Sequence, residues 1–396
     1  MTSAEALDVH GHVAPAFDPV RRAVQQQLAA GLEVGVSVVV DLDGQRVVDL
    51  WGGHRDKART QAWTSETVTN VWSITKTVSS VAALLLVDAG ELDVDAPVAR
   101  YWPEFAARDK GQVLVRHLMA HTSGVSGLDN PNRLEDLFDT RDAAARMATQ
   151  APWWAPGTAS GYHLLNYGHL LGELVYRISG QSLRDFVQQR LSGPLGADFQ
   201  IGLREADLDR VADVIASPVD FDPEVLDHDS PAYKTLTGPS VAASDANTAA
   251  WRAADIGAAN GHGNARSVAD VLAPITLAGH SHKGRLLSPR TVDLIFRQQS
   301  DGVDLVNGLP LRWGHRLRTL RPAHAALAAP GTRRILGWLG WLDGDHGSRP
   351  THDDQLRHEQ HGDRHPRLGA RRRLRPRRVP RGRHRRALVA VSAGSA

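Results

Sequence analysis

The sequence predicts an α/β protein with a helical subdomain, and three stretches carry that prediction. The first is VGVSVVVDLDGQRVVDLWGG, in which two β-branched runs flank Asp43-Gly44, a pair that suits a tight hairpin turn. The second is TKTVSSVAALLLVDAG, residues 75–90, which is apolar enough for a buried helix and has Gly90 as its stop. The third is the region 96–250, richer in helix patterns, turns and Trp, with further strands after it.

Ahead of the hairpin, DPVRRAVQQQLAA (18–30) reads as a helix, with Asp18 as its cap, Pro19 in its first turn and Gly31 at its end. Later, a long helix pattern runs from about Asn166 to Ile178, after a Pro/Trp/Gly turn at APWWAPGTASGY. No internal repeat is present.

Bulk composition excludes several function classes. The 396 residues are 42% hydrophobic, enough for one large domain with an insert, or two. A formal net charge of +2 gives no whole-chain signature of nucleic-acid binding. With no cysteine there is no thiol nucleophile, disulfide framework or thiolate metal site. The N-terminus, MTSAEALDVHGHVAPAFDPV, lacks a basic start followed by an apolar run, and no segment reaches the ~18 apolar residues of a membrane span. The expectation is a cytoplasmic protein without membrane or nucleic-acid partners.

The chemistry-bearing feature is Ser73-Ile74-Thr75-Lys76, which follows the hairpin and opens the apolar helix. Residues i and i+3 share a helix face, so the Lys76 amine can sit beside the Ser73 hydroxyl. A serine needs a base to become a nucleophile, and a lysine serves when burial and positive neighbours favour its neutral form. The helix N-terminus and the Ser73 N–H favour a developing oxyanion. Taken alone, S-x-x-K is a weak motif that reads sooner as a helix cap with a solvated lysine.

Its surroundings add to that reading. The stretch VWSITKTVSSVAALLLVDAGELDVDAPVARYWPEF resembles the nucleophile helix of serine β-lactamases, penicillin-binding proteins and family VIII carboxylesterases. VLVRHLMAHTSGV (113–125), APGTASGYHLLNYGHLLGELVYRISGQSL (155–183) and NGHGNARSVADVLAPITLAGHSHKGRLLSPRTVDLI (260–295) resemble later segments of those esterases, in the same order. The resemblance implies an antiparallel sheet flanked by helices, with the site between sheet and helical subdomain. It also implies Ser73 as acyl carrier, Lys76 as its base partner and Tyr162 as the residue that relays a proton to the leaving group. Many relatives have Tyr-x-Asn where this chain has Tyr162-His163-Leu164. In β-lactamases the polar third residue helps to hold the substrate amide, so its loss favours esters.

Other candidates read as structural. His121, in HTSG, suggests a Ser-His-Asp site, but no G-x-S-x-G accompanies it, and a hydrogen-bonding role at a helix end fits better. His262, in NGHGN, is a loop histidine among glycines. Trp72 and Trp154 are candidates to line an acyl pocket or simply to fill core.

Residues 1–341 are read as the hydrolase domain, with the helical subdomain inserted at roughly 96–250. Residues 342–396 form an aberrant tail rich in Arg, His, Asp and Pro, without strand or helix periodicity. The resemblance implies a glycine-rich strand here, carrying the second oxyanion donor, and a final helix. ILGWLGW (335–341) begins that strand, after which the pattern breaks. A shifted reading frame accounts for this. Permitted codons for residues 341–366, read from the second base of the Trp341 codon, give GSTVTMDPDRRMTISYVMNNMATGI, a Gly-Ser strand start, a turn, a strand and a helix. A similar slip around Gly314–Arg318 permits GIGYGL, with the frame restored by about Arg333. The alternatives are a disordered basic extension or a metal-binding tract, though HDDQLRHEQHGDRH lacks H-E-x-x-H.

The combined expectation is a serine esterase that cleaves small carboxylic esters of short acyl chain through an acyl-enzyme, with no metal or organic cofactor. A β-lactamase or D-Ala-D-Ala peptidase, and a non-catalytic binding protein on the same fold, are the alternatives.

Overall fold

Asp43 and Gly44 take left-handed backbone angles (φ 53° and 82°) and turn β2 (Gly35–Leu42) into β3 (Gln45–Gly53). Both central residues of such a turn need φ above zero, which Asp-Gly tolerates. β1 (Val9–Val13) pairs antiparallel with β3, and β12 (Ala387–Ala393) pairs antiparallel with the other side of β2, so the sheet order is β1-β3-β2-β12. The computed structural model describes residues 8–129, 133–216, 222–314, 318–320 and 387–393.

β12 lies within the 342–396 tail, whose sequence lacks strand periodicity. A seven-residue apolar run has too little periodicity to identify itself, yet it forms a ladder once a sheet edge supplies hydrogen-bond partners. The shifted reading over 341–366 and the ILGWLGW segment lie outside the described residues, as does most of 315–333.

Alternation along β2 decides what each face of the sheet covers. Val36, Val38 and Val40 pack with Val24 and Leu28 of α1 (Asp18–Ala29), while Val39 joins the main core on the opposite face. The expected cap of α1 is corrected. Residues Pro15–Phe17 form a 3-10 turn that runs straight into α1 and already bonds the Asp18 N–H to the Pro15 carbonyl. Phe17 is therefore the N-cap residue, and Asp18 lies inside the first turn, with no side-chain cap bond. At the other end Gly31 takes φ 70°, donating to Leu28, while Leu32 donates to Gln27, which closes the helix.

α2 (Ile74–Asp88) is the central helix, closed in the same manner by Gly90 at φ 76°. Among the described residues, the regular structure between 96 and 250 is helical except for β5 (Gln200–Ile201). It comprises α3 (Val115–Met119), α4 (Thr140–Thr149), α5 (Asn166–Ser179), α6 (Leu183–Val187), α7 (Gly193–Leu195), α8 (Pro231–Thr237) and α9 (Ala249–Ala253), with several 3-10 turns and one π turn. The main core joins Val78, Val81 and Leu84 of α2 to Leu170 and Leu174 of α5 and to Val268 and Leu272 of α10 (Ala265–Thr276).

Three small sheets accompany the main one among the described residues. β4 (Thr69–Asn70), β5 and β6 (Gly261–Gly263) associate in the order β4-β6-β5. A short hairpin, β7 (His280–Ser281) and β8 (Gly284–Arg285), precedes α11 (Pro289–Ile295). The last three-stranded sheet has the order β11-β10-β9, from β9 (Ser300–Val303), β10 (Pro310–Trp313) and β11 (Arg318–Leu320). Among the described residues no helix is long and apolar enough to cross a membrane.

Candidate active site

Ser73 is the residue at which the chain enters α2, and the backbone just before it is unusual. Trp72 has φ 45°, a left-handed conformation that costs a non-glycine residue ~1 kcal/mol or more. Local bonds hold it there: the Trp72 carbonyl accepts from the Thr75 N–H at 2.9 Å and from Thr75 Oγ1 at 2.5 Å. Thr75 Oγ1 in turn accepts from the Gly261 N–H at 2.8 Å, which fastens the start of α2 to β6. The Trp72 indole lies 5.5 Å from that of Trp251, whose Nε1 donates to Asn70 Oδ1. These contacts turn the chain sharply and leave Ser73 partly exposed at the mouth of a buried helix.

One turn into α2, Lys76 is wholly buried, and its Nζ donates to Ser73 Oγ at 2.9 Å and to the Ala258 carbonyl at 2.9 Å. The second bond depends on close approach of the 257–258 backbone to α5. Gly168 permits it, because a Cβ there would stand 2.3 Å from the Ala258 nitrogen. From the opposite side the Tyr162 hydroxyl donates to Ser73 Oγ at 2.8 Å, and Lys76 Nζ lies 4.9 Å from the centre of the Tyr162 ring. The three residues singled out from sequence, Ser73, Lys76 and Tyr162, thus converge on one oxygen, although Tyr162 comes from a loop 89 residues away from Ser73.

Behind Tyr162 lies a buried aromatic and imidazole layer. The His121 ring is 4.9 Å from that of Tyr162 and 4.6 Å from that of Trp313, and Trp313 stacks on Tyr162 at 16°. His121 follows α3 and has φ 60°, and its Nδ1 accepts from the His163 N–H at 3.0 Å. His163 donates from Nδ1 to the Gly161 carbonyl at 2.7 Å, so its Nε2 accepts from Ser123 Oγ at 2.6 Å. Burial pushes the His163 imidazole down to about 4, so it is neutral at pH 7.

Two further sequence candidates, His262 and Trp154, have surroundings of their own. His262 on β6 is buried and groups with Arg252 and Arg184; burial, then those two charges, hold it at about 4. Trp154 donates from Nε1 to the Ala159 carbonyl at 3.0 Å and meets the His163 ring edge-on at 6.4 Å. No group of three or more His, Asp or Glu among the described residues is placed to hold a metal ion.

Sequence reading missed Asp304, a wholly buried residue in the connection between β9 and β10. Its Oδ1 accepts from the N–H of Tyr162 at 3.0 Å, and its Oδ2 accepts from Trp313 Nε1 at 3.2 Å. The only local signal for this hairpin is Asn307-Gly308, a turn pair whose glycine has φ 65°.

This arrangement of sheet, central helix and helical layer is the β-lactamase and penicillin-binding-protein architecture. The chain belongs to the Beta-lactamase family, whose model matches residues 20–356. It is 31% identical over 351 residues to the esterase/beta-lactamase LipL of Mycobacterium tuberculosis, covering 86% of this chain and 81% of LipL. The crystal structure of a family VIII carboxylesterase superposes with a TM-score of 0.74 at 34% identity, covering 80% of this chain and 84% of that one. A penicillin-binding protein homolog from Caulobacter crescentus superposes with a TM-score of 0.72 at 31% identity, again over 80% and 84% of the two chains. The chain is a hydrolase of the β-lactamase superfamily with esterase relatives.

Proposed function

We propose that the protein is a serine esterase that hydrolyses small carboxylic esters of short acyl chain through an acyl-enzyme on Ser73. The observation that carries this reading is the convergence of Lys76 Nζ, at 2.9 Å, and the Tyr162 hydroxyl, at 2.8 Å, on Ser73 Oγ.

In the first step Ser73 Oγ forms a bond to the ester carbonyl carbon while its proton passes to the Lys76–Tyr162 pair. The carbonyl oxygen becomes an oxyanion, held by the Ser73 N–H at the start of α2. As the tetrahedral adduct collapses, the bond to the alkoxy oxygen breaks and Tyr162 delivers the proton to the departing alcohol. Water then attacks the acyl-enzyme, gives a proton to the same pair, and releases the carboxylic acid as Ser73 Oγ regains its hydrogen. The polar groups at the serine are already in hydrogen-bond contact, so little reorganisation precedes reaction.

Leu164 favours an ester over an amide. It packs against the cluster of Tyr162, Val306, Leu311 and Trp313, so the third position of the Tyr-x-x segment presents an apolar side chain. An amide N–H facing it would lose its water without gaining an acceptor, at a cost of roughly 1–3 kcal/mol. LipL, described as both esterase and beta-lactamase, makes β-lactam hydrolysis the second activity to measure.

The test compares p-nitrophenyl acetate with nitrocefin, using the wild type and Ser73→Ala. Faster turnover of the ester, lost in the variant, is expected. Faster turnover of nitrocefin would assign a β-lactamase instead. Turnover of neither substrate by a folded protein would favour a binding role.

A further inference from the structure

Tyr162 has no secondary structure of its own to hold it. It sits in the irregular segment before α5, where a small backbone shift would carry its hydroxyl out of reach of Ser73. Asp304 supplies what the segment lacks. Its carboxylate is wholly buried and is surrounded by N–H donors: Oδ1 accepts from the backbone of Tyr162 at 3.0 Å, of Val306 at 3.1 Å and of Asn307 at 3.0 Å, and Oδ2 accepts from Trp313 Nε1 at 3.2 Å. Four N–H donors meeting on one buried carboxyl group, with both of its oxygens engaged, make a firm anchor. The next residue reinforces it, because the Leu305 N–H donates to the Ser160 carbonyl at 2.7 Å.

The two ends of the carboxylate act on one side chain. Oδ1 holds the main chain of Tyr162, and Oδ2 holds the indole against which the Tyr162 ring stacks, at 6.2 Å between centres and 16° between planes. We propose that Asp304 is the positioning residue for the Tyr162 hydroxyl, holding backbone and ring together so that the phenol meets Ser73 Oγ. The inference rests on the role given to Tyr162 above. Asp304 itself touches neither Ser73 nor Lys76 among its described bonds.

A residue acting through Tyr162 has a kinetic signature that a merely structural one lacks. A proton delivered to the departing alcohol matters greatly for ethanol and little for p-nitrophenolate, which leaves without help. Rates on ethyl acetate and p-nitrophenyl acetate are therefore measured for the wild type, Tyr162→Phe, Asp304→Ala and the double variant. Tyr162→Phe is expected to lose far more kcat/KM on ethyl acetate than on p-nitrophenyl acetate. Asp304→Ala is expected to show the same bias, with a loss of about 10²-fold on ethyl acetate, the scale of a displaced catalytic group. In the Tyr162→Phe background the Asp304 change is expected to add almost nothing, since both act on one group.

An equal loss on both esters, repeated in full in the Tyr162→Phe background, would overturn the inference and leave Asp304 as a hairpin anchor alone. If Asp304→Ala fails to fold, Asp304→Asn decides in the same assays. It keeps an oxygen for the Tyr162 N–H but presents an amide to the indole, so a smaller ethyl-selective loss supports the inference. An unselective loss, or wild-type rates, overturns it. If Tyr162→Phe itself shows no bias, the role of Tyr162 fails and this inference falls with it; bias in Tyr162→Phe but not at Asp304 sinks the inference alone.

Discussion

Mild acid is expected to unfold this protein in a window set by its buried imidazoles. Burial holds His163 and His262 at about 4, against ~6.5 for a histidine in an unfolded chain. Between those values the unfolded chain binds two protons that the folded chain refuses. Their contribution to stability is therefore complete above pH ~6.5 and is lost as the pH falls toward 4. The slope approaches roughly 2.7 kcal/mol per pH unit for the pair, and each imidazole contributes roughly 3 kcal/mol over the whole window. That total is comparable with the entire stability of many domains. His169, also buried, and His117, partly buried, are shifted in the same direction, so they steepen the loss. Asp207 acts lower down: its carboxyl is held at about 2, hydrogen-bonded by Gln200 and by Arg210 and Arg204, so its stabilising effect disappears only below pH 4. The assay is the urea midpoint, followed by tryptophan fluorescence, at intervals from pH 6.5 to 4.5. His262→Leu should reduce the slope by about 1.4 kcal/mol per pH unit. A midpoint that stays flat across this window, or a slope unchanged by His262→Leu, would refute the reasoning.

Two further outcomes follow from buried amines. Lys76→Met should lower kcat for p-nitrophenyl acetate by about 10²–10⁴-fold, the usual weight of a general base, while the folded structure is retained; activity within a few-fold of wild type would remove Lys76 from the chemistry. Lys110 is wholly buried and donates to the carbonyls of Ala107, Ala148 and Gln150, so Lys110→Met leaves these acceptors unmet and should cost about 3 kcal/mol in urea unfolding, with kcat per folded molecule unchanged.

What was legible in the sequence was local. Asp43-Gly44 marks its hairpin because the turn constrains its own two residues, and Gly90 marks the end of α2 because only the adjacent turn decides it. Ser73 and Lys76 could be paired because a helix fixes the geometry of i and i+3. Tyr162 could not be tied to Ser73 by spacing; it was found through resemblance, and the structure brings the two hydroxyls to 2.8 Å.

The remainder of the site is made by contacts that no local pattern encodes. Asp304 lies 142 residues from Tyr162, in a hairpin connection whose turn pair says nothing of what the connection will hold. The Ala258 carbonyl reaches Lys76 from 182 residues away, and Gly168, which by propensity merely weakens α5, is the position that admits it. β12 is a similar case, since its pairing is decided by the edge of β2 and not by its own seven residues. His163, beside Tyr162 in the sequence, has both ring nitrogens occupied, by Gly161 and Ser123, which no local pattern encodes either.

The most direct test of the account is to trap the acyl-enzyme. Protein mixed with p-nitrophenyl acetate, quenched in acid within the first turnover and digested, is examined by mass spectrometry. The account predicts an acetyl group on the peptide that contains Ser73, formed at the rate of the p-nitrophenolate burst and absent from Ser73→Ala. Steady hydrolysis with no adduct on that serine, or turnover that persists in Ser73→Ala, would contradict it.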